Sequence, residues 1–246
     1  MNLLAPFFLT FQYLECLEKD GSVQSFSKEG PMQGITRRQF LIGASSISLS
    51  AFVDVPLLHA APNGINLTAA PGKVSFFGPD DPSTDIWSYG ALPGPVLKVK
   101  QGERLNVTLK NDLPDPTTIH WHGIRPPNAM DGVPFLTQEP VAPGKTFSYD
   151  FVAEDAGTFW YHPHVNSAEQ VGRGLSGALI VEEPNPVAVD RDMVWVIDDW
   201  RVTEELSLVE FGNFHDMTHG GRMGNIATIN GQATDFFTRL VAKVAC

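Results

Sequence analysis

Between about residues 73 and 186 the chain is cut repeatedly by proline and glycine, and no long stretch with a helical apolar period lies between the cuts. What lies between the cuts is short and alternating. In residues 104–111, Leu105, Val107 and Leu109 interleave with Asn106, Thr108 and Lys110, the pattern of a strand with one dry and one wet face. Comparable runs cover residues 73–77, 96–100, 117–122, 146–152, 157–162 and 177–182. Turn residues separate them at Leu92-Pro93-Gly94-Pro95, at 111–116, at Pro126-Pro127-Asn128 and at Pro143-Gly144,. Seven short strands over residues 73–182 predict an all-β fold, one Greek-key sandwich,.

Two of these runs carry paired histidines, His120-Trp121-His122 and His162-Pro163-His164. Side chains alternate between the two faces of a strand, so the histidines of each pair project from one face and Trp121 from the other, into the core. Two such strands side by side bring four imidazoles into one small volume. Neutral imidazole is a ligand for copper, zinc, iron and nickel, and an apolar core has no use for four together. The pattern predicts a metal site, read here as copper.

Composition narrows the partners. With 17 Lys and Arg against 28 Asp and Glu, the formal net charge of -11 repels nucleic acid and anionic membrane surfaces,. Cationic or neutral substrates suit it better. The two cysteines, Cys16 and Cys246, stand at opposite ends and offer neither a disulfide framework nor a cysteine metal motif,. Residues 182–186, Glu182-Glu183-Pro184-Asn185-Pro186, read as a linker. A new apolar run over 193–198 predicts a second domain from about residue 190,. The 57 residues from 190 to 246 are too few for another sandwich of the same size,.

Thr36-Arg37-Arg38-Gln39-Phe40-Leu41 directly precedes an apolar, small-residue run to Val53, the layout of a twin-arginine export signal. At roughly a dozen residues the run falls short of the ~20 that span a bilayer. The prediction is therefore an exported protein, periplasmic or extracellular, with no membrane anchor and with cleavage near Ala60 or Ala61. Export signals sit near a true N-terminus, so Met32 is the expected start and residues 1–31 a misannotated or extended leader. The division that follows is 1–31 leader, 32–61 signal, 62–185 first domain and 186–246 partial second domain.

Four blocks occur in order: His120-Trp121-His122-Gly123; Met130-Asp131-Gly132-Val133-Pro134-Phe135-Leu136-Thr137-Gln138; Pro143-Gly144-Lys145-Thr146-Phe147-Ser148-Tyr149; and Gly157-Thr158-Phe159-Trp160-Tyr161-His162-Pro163-His164. Together they resemble the first cupredoxin domain of a multicopper oxidase, the group of laccases, ascorbate oxidases and metal oxidases. The likeness is close over about residues 70–183 and weaker as far as Ile229-Asn230-Gly231, which resembles the start of the family's second domain. The resemblance implies a plastocyanin-like Greek-key sandwich followed by an incomplete second cupredoxin domain. It implies copper as cofactor, with His120 on a type 2 copper, His122 and His162 on one type 3 copper and His164 on the other. It places Asp131 where the family has an acidic residue near the cluster, there to orient water and relay protons. An Asp-Gly pair in a turn needs no such role.

The family couples one-electron oxidation of phenols, aromatic amines or metal ions to reduction of O2 to water. Its remaining cluster ligands and its blue type 1 copper come from later His-x-His and His-Cys-His motifs, and neither motif follows His164 here. Three readings compete for the chain: a truncated frame, a partner polypeptide carrying the other domains, and a non-catalytic copper-binding or scaffold cupredoxin. The first is expected, with the chain alone inactive. His215, Met217, His219 and Met223 form either a soft cuprous site or a Gly-rich loop,. His59 falls in the leader.

Overall fold

The structure, a computed structural model, describes residues 7–13, 56–59, 64–214, 216 and 221–233, the first segment by its backbone alone. The Arg37-Arg38 segment, Ala60, Ala61, both cysteines, His215, Met217 and His219 lie outside those residues. In chain order the elements are β1 (Phe7–Tyr13), β2 (Leu57–His59), β3 (Ile65–Val74), β4 (Thr84–Ser88), β5 (Gly94–Lys100), β6 (Arg104–Asn111), β7 (His120–His122), β8 (Thr146–Val152), β9 (Gly157–His162), α1 (Ser167–Gly172), β10 (Gly177–Glu182), β11 (Arg191–Trp200), β12 (Ile226–Ile229) and β13 (Gln232–Ala233). The fold is all-β, as the alternation predicts. No helix among the described residues is long and apolar enough to cross a membrane.

Two sheets form the sandwich. One has the order β4-β3-β6-β8, the other β2-β5-β10-β9-β7. Alternation fills the space between them: Ile65 and Leu67 from β3, Leu105, Val107 and Leu109 from β6, and Tyr149 and Phe151 from β8 meet Leu97, Leu179, Tyr161 and Trp121 of the opposing sheet in one buried cluster. Burying such side chains contributes roughly 1.5–3 kcal/mol each. A third sheet, β1-β11-β12-β13, follows. Its β11 lays Val194 and Val196 against Val96, Ala178 and Ile180, on the outer face of the second sheet.

Four predicted strands match closely: β6, β8, β9 and β10 have the bounds expected. Others differ for physical reasons. The strand expected at 73–77 is β3, which runs from Ile65 and stops at Val74. Its first half pairs with β6, up to Ala69, and its second half with β4, from Ala70. Pro71 therefore sits where the strand is paired on one side only, where a missing N–H costs least. The strand expected over 117–122 narrows to the three residues of β7, Thr117 making an isolated bridge to Val141. His59, assigned to the leader, lies in β2, which pairs in parallel with β5.

Candidate metal centre

The register of β7 against β9 sets the site. His120 stands opposite His162, Trp121 opposite Tyr161, and His122 opposite Trp160. Trp121 and Tyr161 are fully buried in the sandwich core, so the alternate residues His120, His122, Trp160 and His162 share the outer face. Trp121 anchors the strand from below, its ring 5.5 Å from Tyr149 and 5.3 Å from Phe151. The approach to β7 is fixed from the other sheet, where the Tyr149 hydroxyl accepts the Ile119 N–H at 2.7 Å.

His164 reaches the same place by another route. β9 ends at His162 because Pro163 has no N–H to continue the ladder,. His164 thus lies past the strand, not on it as the second pair's spacing suggested. Its backbone N–H donates to Thr118 Oγ1 at 3.3 Å. The helix that follows is tied to the same segment: the buried Gln170 accepts from Thr117 Oγ1 at 2.7 Å and donates to the Pro116 carbonyl at 2.9 Å.

All four rings meet. Ring centroids are 5.7 Å apart for His120 and His122, 5.4 Å for His120 and His162, 4.5 Å for His120 and His164, and 5.5 Å for His122 and His162. His120, His122 and His162 offer one nitrogen each within 4.8 Å of one another. His164 stands beside that triad, its ring stacked 5.5 Å from His162. The carbonyls around the site fix the tautomers, since a carbonyl can only accept. His120 Nδ1 donates to the Asp131 carbonyl at 2.8 Å, and His162 Nδ1 to that of Pro163 at 2.9 Å. Both rings are left with a bare Nε2, the arrangement found behind metal-bound histidines.

His122 Nδ1 lies 3.2 Å from His162 Nε2. Two nitrogens each about 2.0–2.1 Å from one tetrahedral ion stand roughly 3.3 Å apart. The pair is spaced to share a proton or a metal. Burial above all favours the neutral forms of His122, His162 and His164. His162 is pulled from the ordinary 6.5 down to about 3 by burial, the Pro163 hydrogen bond opposing. His122 and His164 are lowered by burial first and by His120 next. A convergent imidazole set suits copper, and its neutral members accept an ion without first losing a proton.

The Asp131 side chain sits beside the cluster, Oδ1 3.4 Å from His120 Nδ1. Its loop is held down by Gly132, at φ +77°, where any Cβ would collide with the Ile119 carbonyl. Met223 is exposed. The site includes one residue to which the sequence reading gave no role: Trp160, 3.9 Å from His162 and nearly parallel to it at 25°. Its position two residues before His162, on the same face of the strand, was the available signal. Gln170 and Tyr149 act across 53 and 30 residues and leave no local signature.

A Greek-key sandwich with imidazoles converging on the outer face of one sheet defines a cupredoxin-type domain with a candidate histidine metal centre. Residues 76–186 match the multicopper oxidase family, and this part of the chain is a domain of that family. It is 38% identical over 154 residues to copper resistance protein A of Pseudomonas syringae pv. tomato, covering 59% of this chain and 25% of that protein. Laccase-1 of Cryptococcus neoformans var. neoformans is 34% identical over 202 residues, 75% of this chain and 31% of that one. Among solved structures, the multi-copper oxidase of Pseudomonas thermotolerans superposes with a TM-score of 0.65 at 40% identity, over 73% of this chain and 42% of that chain. The Campylobacter jejuni metallo-oxidase gives 0.61 at 30% identity, over 74% and 40%. The chain thus spans about a quarter to a third of the length of these curated relatives.

Proposed function

We propose that this chain is the N-terminal portion of an exported multicopper oxidase and supplies His120, His122, His162 and His164 as half the ligands of a trinuclear copper cluster. His120 serves the type 2 copper, His122 and His162 share one type 3 copper, and His164 serves the other. The observation that carries this reading is the 3.2 Å approach of His122 Nδ1 to His162 Nε2 inside a set of four converging rings. Copper bound there supplies one-electron redox chemistry for reducing O2 to water, coupled to oxidation of phenols, aromatic amines or metal ions. The copper-resistance and metallo-oxidase names of two relatives favour metal ions among these.

The chain's own residues bind, orient and manage protons. The Asp131 and Pro163 carbonyls hold the His120 and His162 rings in the tautomer that leaves Nε2 bare. The Asp131 carboxylate, beside the part-exposed His120, is placed to hold a proton or orient a water at the cluster edge. No His-Cys-His stands in the sequence, so the blue copper and the complementary histidines come from further domains of the parent oxidase. Export follows the twin-arginine route.

The test is copper titration of the purified chain followed by oxidase assay on a phenol and on cuprous ion. Copper binding that falls with His122→Ala and His162→Ala is expected, with no blue absorption and no turnover by the chain alone. Binding indifferent to all four histidines would refute the assignment. Turnover by the isolated chain would refute the need for other domains.

A further inference from the structure

The four candidate ligands are not equally well held. His120 and His162 are hydrogen-bonded to backbone carbonyls, which stay in place when a metal binds. The hydrogen bond of His122 runs instead to His162, a fellow ligand. Once both nitrogens turn to a shared ion that bond is gone, and His122 is also the exposed member of the set. Something else must keep its plane.

Trp160 is in position to do so. It faces His122 across the ladder and precedes His162 by two on the same strand face. Its ring lies 3.9 Å from His162 at 25° and 4.9 Å from His122 at 32°. The two imidazoles are inclined to each other by 41°. A stacked indole restrains the tilt of a neighbouring ring without consuming either of its nitrogens. A hydrogen bond to His122 could do so only by occupying one.

We propose that Trp160 is a positioning residue for the shared-copper pair: one indole plane orients His122 and His162 together, so that Nδ1 of the first and Nε2 of the second address the same point. The proposal rests on the copper reading above. It assigns to Trp160 a preorganising role, with ligand planes set before the ion arrives. Removing it leaves all four ligands present and loosens one of them.

The test titrates copper(II) calorimetrically into the full chain and into its Trp160→Phe, Trp160→Leu and His122→Ala variants, with thermal melts of each metal-free protein. Loss of a group that orients a metal ligand weakens binding about tenfold or more, and that loss is expected for Trp160→Leu. Trp160→Phe retains a stacking plane and should bind nearly as the parent does, and metal-free melting temperatures should stay close. Electron paramagnetic resonance of the copper-loaded forms should show the parent's nitrogen coupling in the Phe variant and an altered pattern in the Leu variant. Should Trp160→Leu fail to fold, Trp160→Met takes its place in the same comparison. A folded Leu or Met variant that binds copper as tightly as the parent overturns the proposal, as does a Phe variant that loses as much as they do. Copper binding unaffected by His122→Ala overturns the copper reading as well, which separates the two failures.

Discussion

His162 is only 7% exposed, and its neutral form is the one the fold accepts. With a folded pKa near 3 against an ordinary 6.5, the unfolded chain binds the extra proton throughout that interval. Stability therefore rises with pH across it and is lost as pH falls from 6.5 towards 3, with a slope of at most about 1.4 kcal/mol per pH unit from this ring. Urea denaturation of the metal-free protein at pH 7 and pH 4 should show the loss, and a His162→Gln variant should show less of it. The pairing of His162 with His164 was legible because period two sets the histidines of each pair on one face, whereas the register that puts His162 opposite His120 is a tertiary fact. His164 was only half legible. Its pair spacing announced a ligand, but Pro163 ends the strand, and the contact that seats it, to Thr118 46 residues earlier, has no local trace.

β7 is three residues long, too short to set its own register, and its neighbours supply the constraint. β9 pairs with it from the side, Tyr149 of β8 binds the residue before it, and the Asp131 loop lies against the Ile119 carbonyl. Gly132 is the point where that loop comes closest. Gly132→Ala meets both a left-handed φ and a blocked approach, and should cost about 3 kcal/mol or more. Denaturation midpoints would measure the loss, and weakened copper binding should accompany it, because the Asp131 carbonyl that orients His120 moves with the loop. Strands such as β6 and β8 were legible because their one-sided burial writes an alternation into Leu105, Val107 and Leu109. β3 was displaced in the reading because Pro71-Gly72 has the composition of a turn, and one-sided pairing is a tertiary fact. β4 was missed: Thr84, Ile86, Trp87 and Ser88 are all buried, so no alternation marks it.

At the scale of the molecule, Trp200 joins the sandwich to the sheet beyond it. Its ring packs 4.9 Å from Phe76 in the first unit, and its Nε1 donates to Thr228 Oγ1 on β12 at 3.0 Å. Val202 and Ala233 complete the same buried cluster. Trp200→Ala should cost about 3–5 kcal/mol, read as a shifted urea midpoint, while copper affinity stays as in the parent because the histidines rest on the other cluster. Composition reads a linker over 182–186, but the contact between Phe76 and Trp200 leaves no trace in the sequence, since the two are joined only in space.

The imidazoles stand on the outside of a sandwich whose inner face, through Trp121 and Tyr161, is already sealed by aromatic packing. Nothing in that core waits for an ion. On the proposed copper reading, folding and metallation are successive events in this architecture, and the ledge of ligands is a half-socket that can be filled, emptied and refilled while the wall behind it stands.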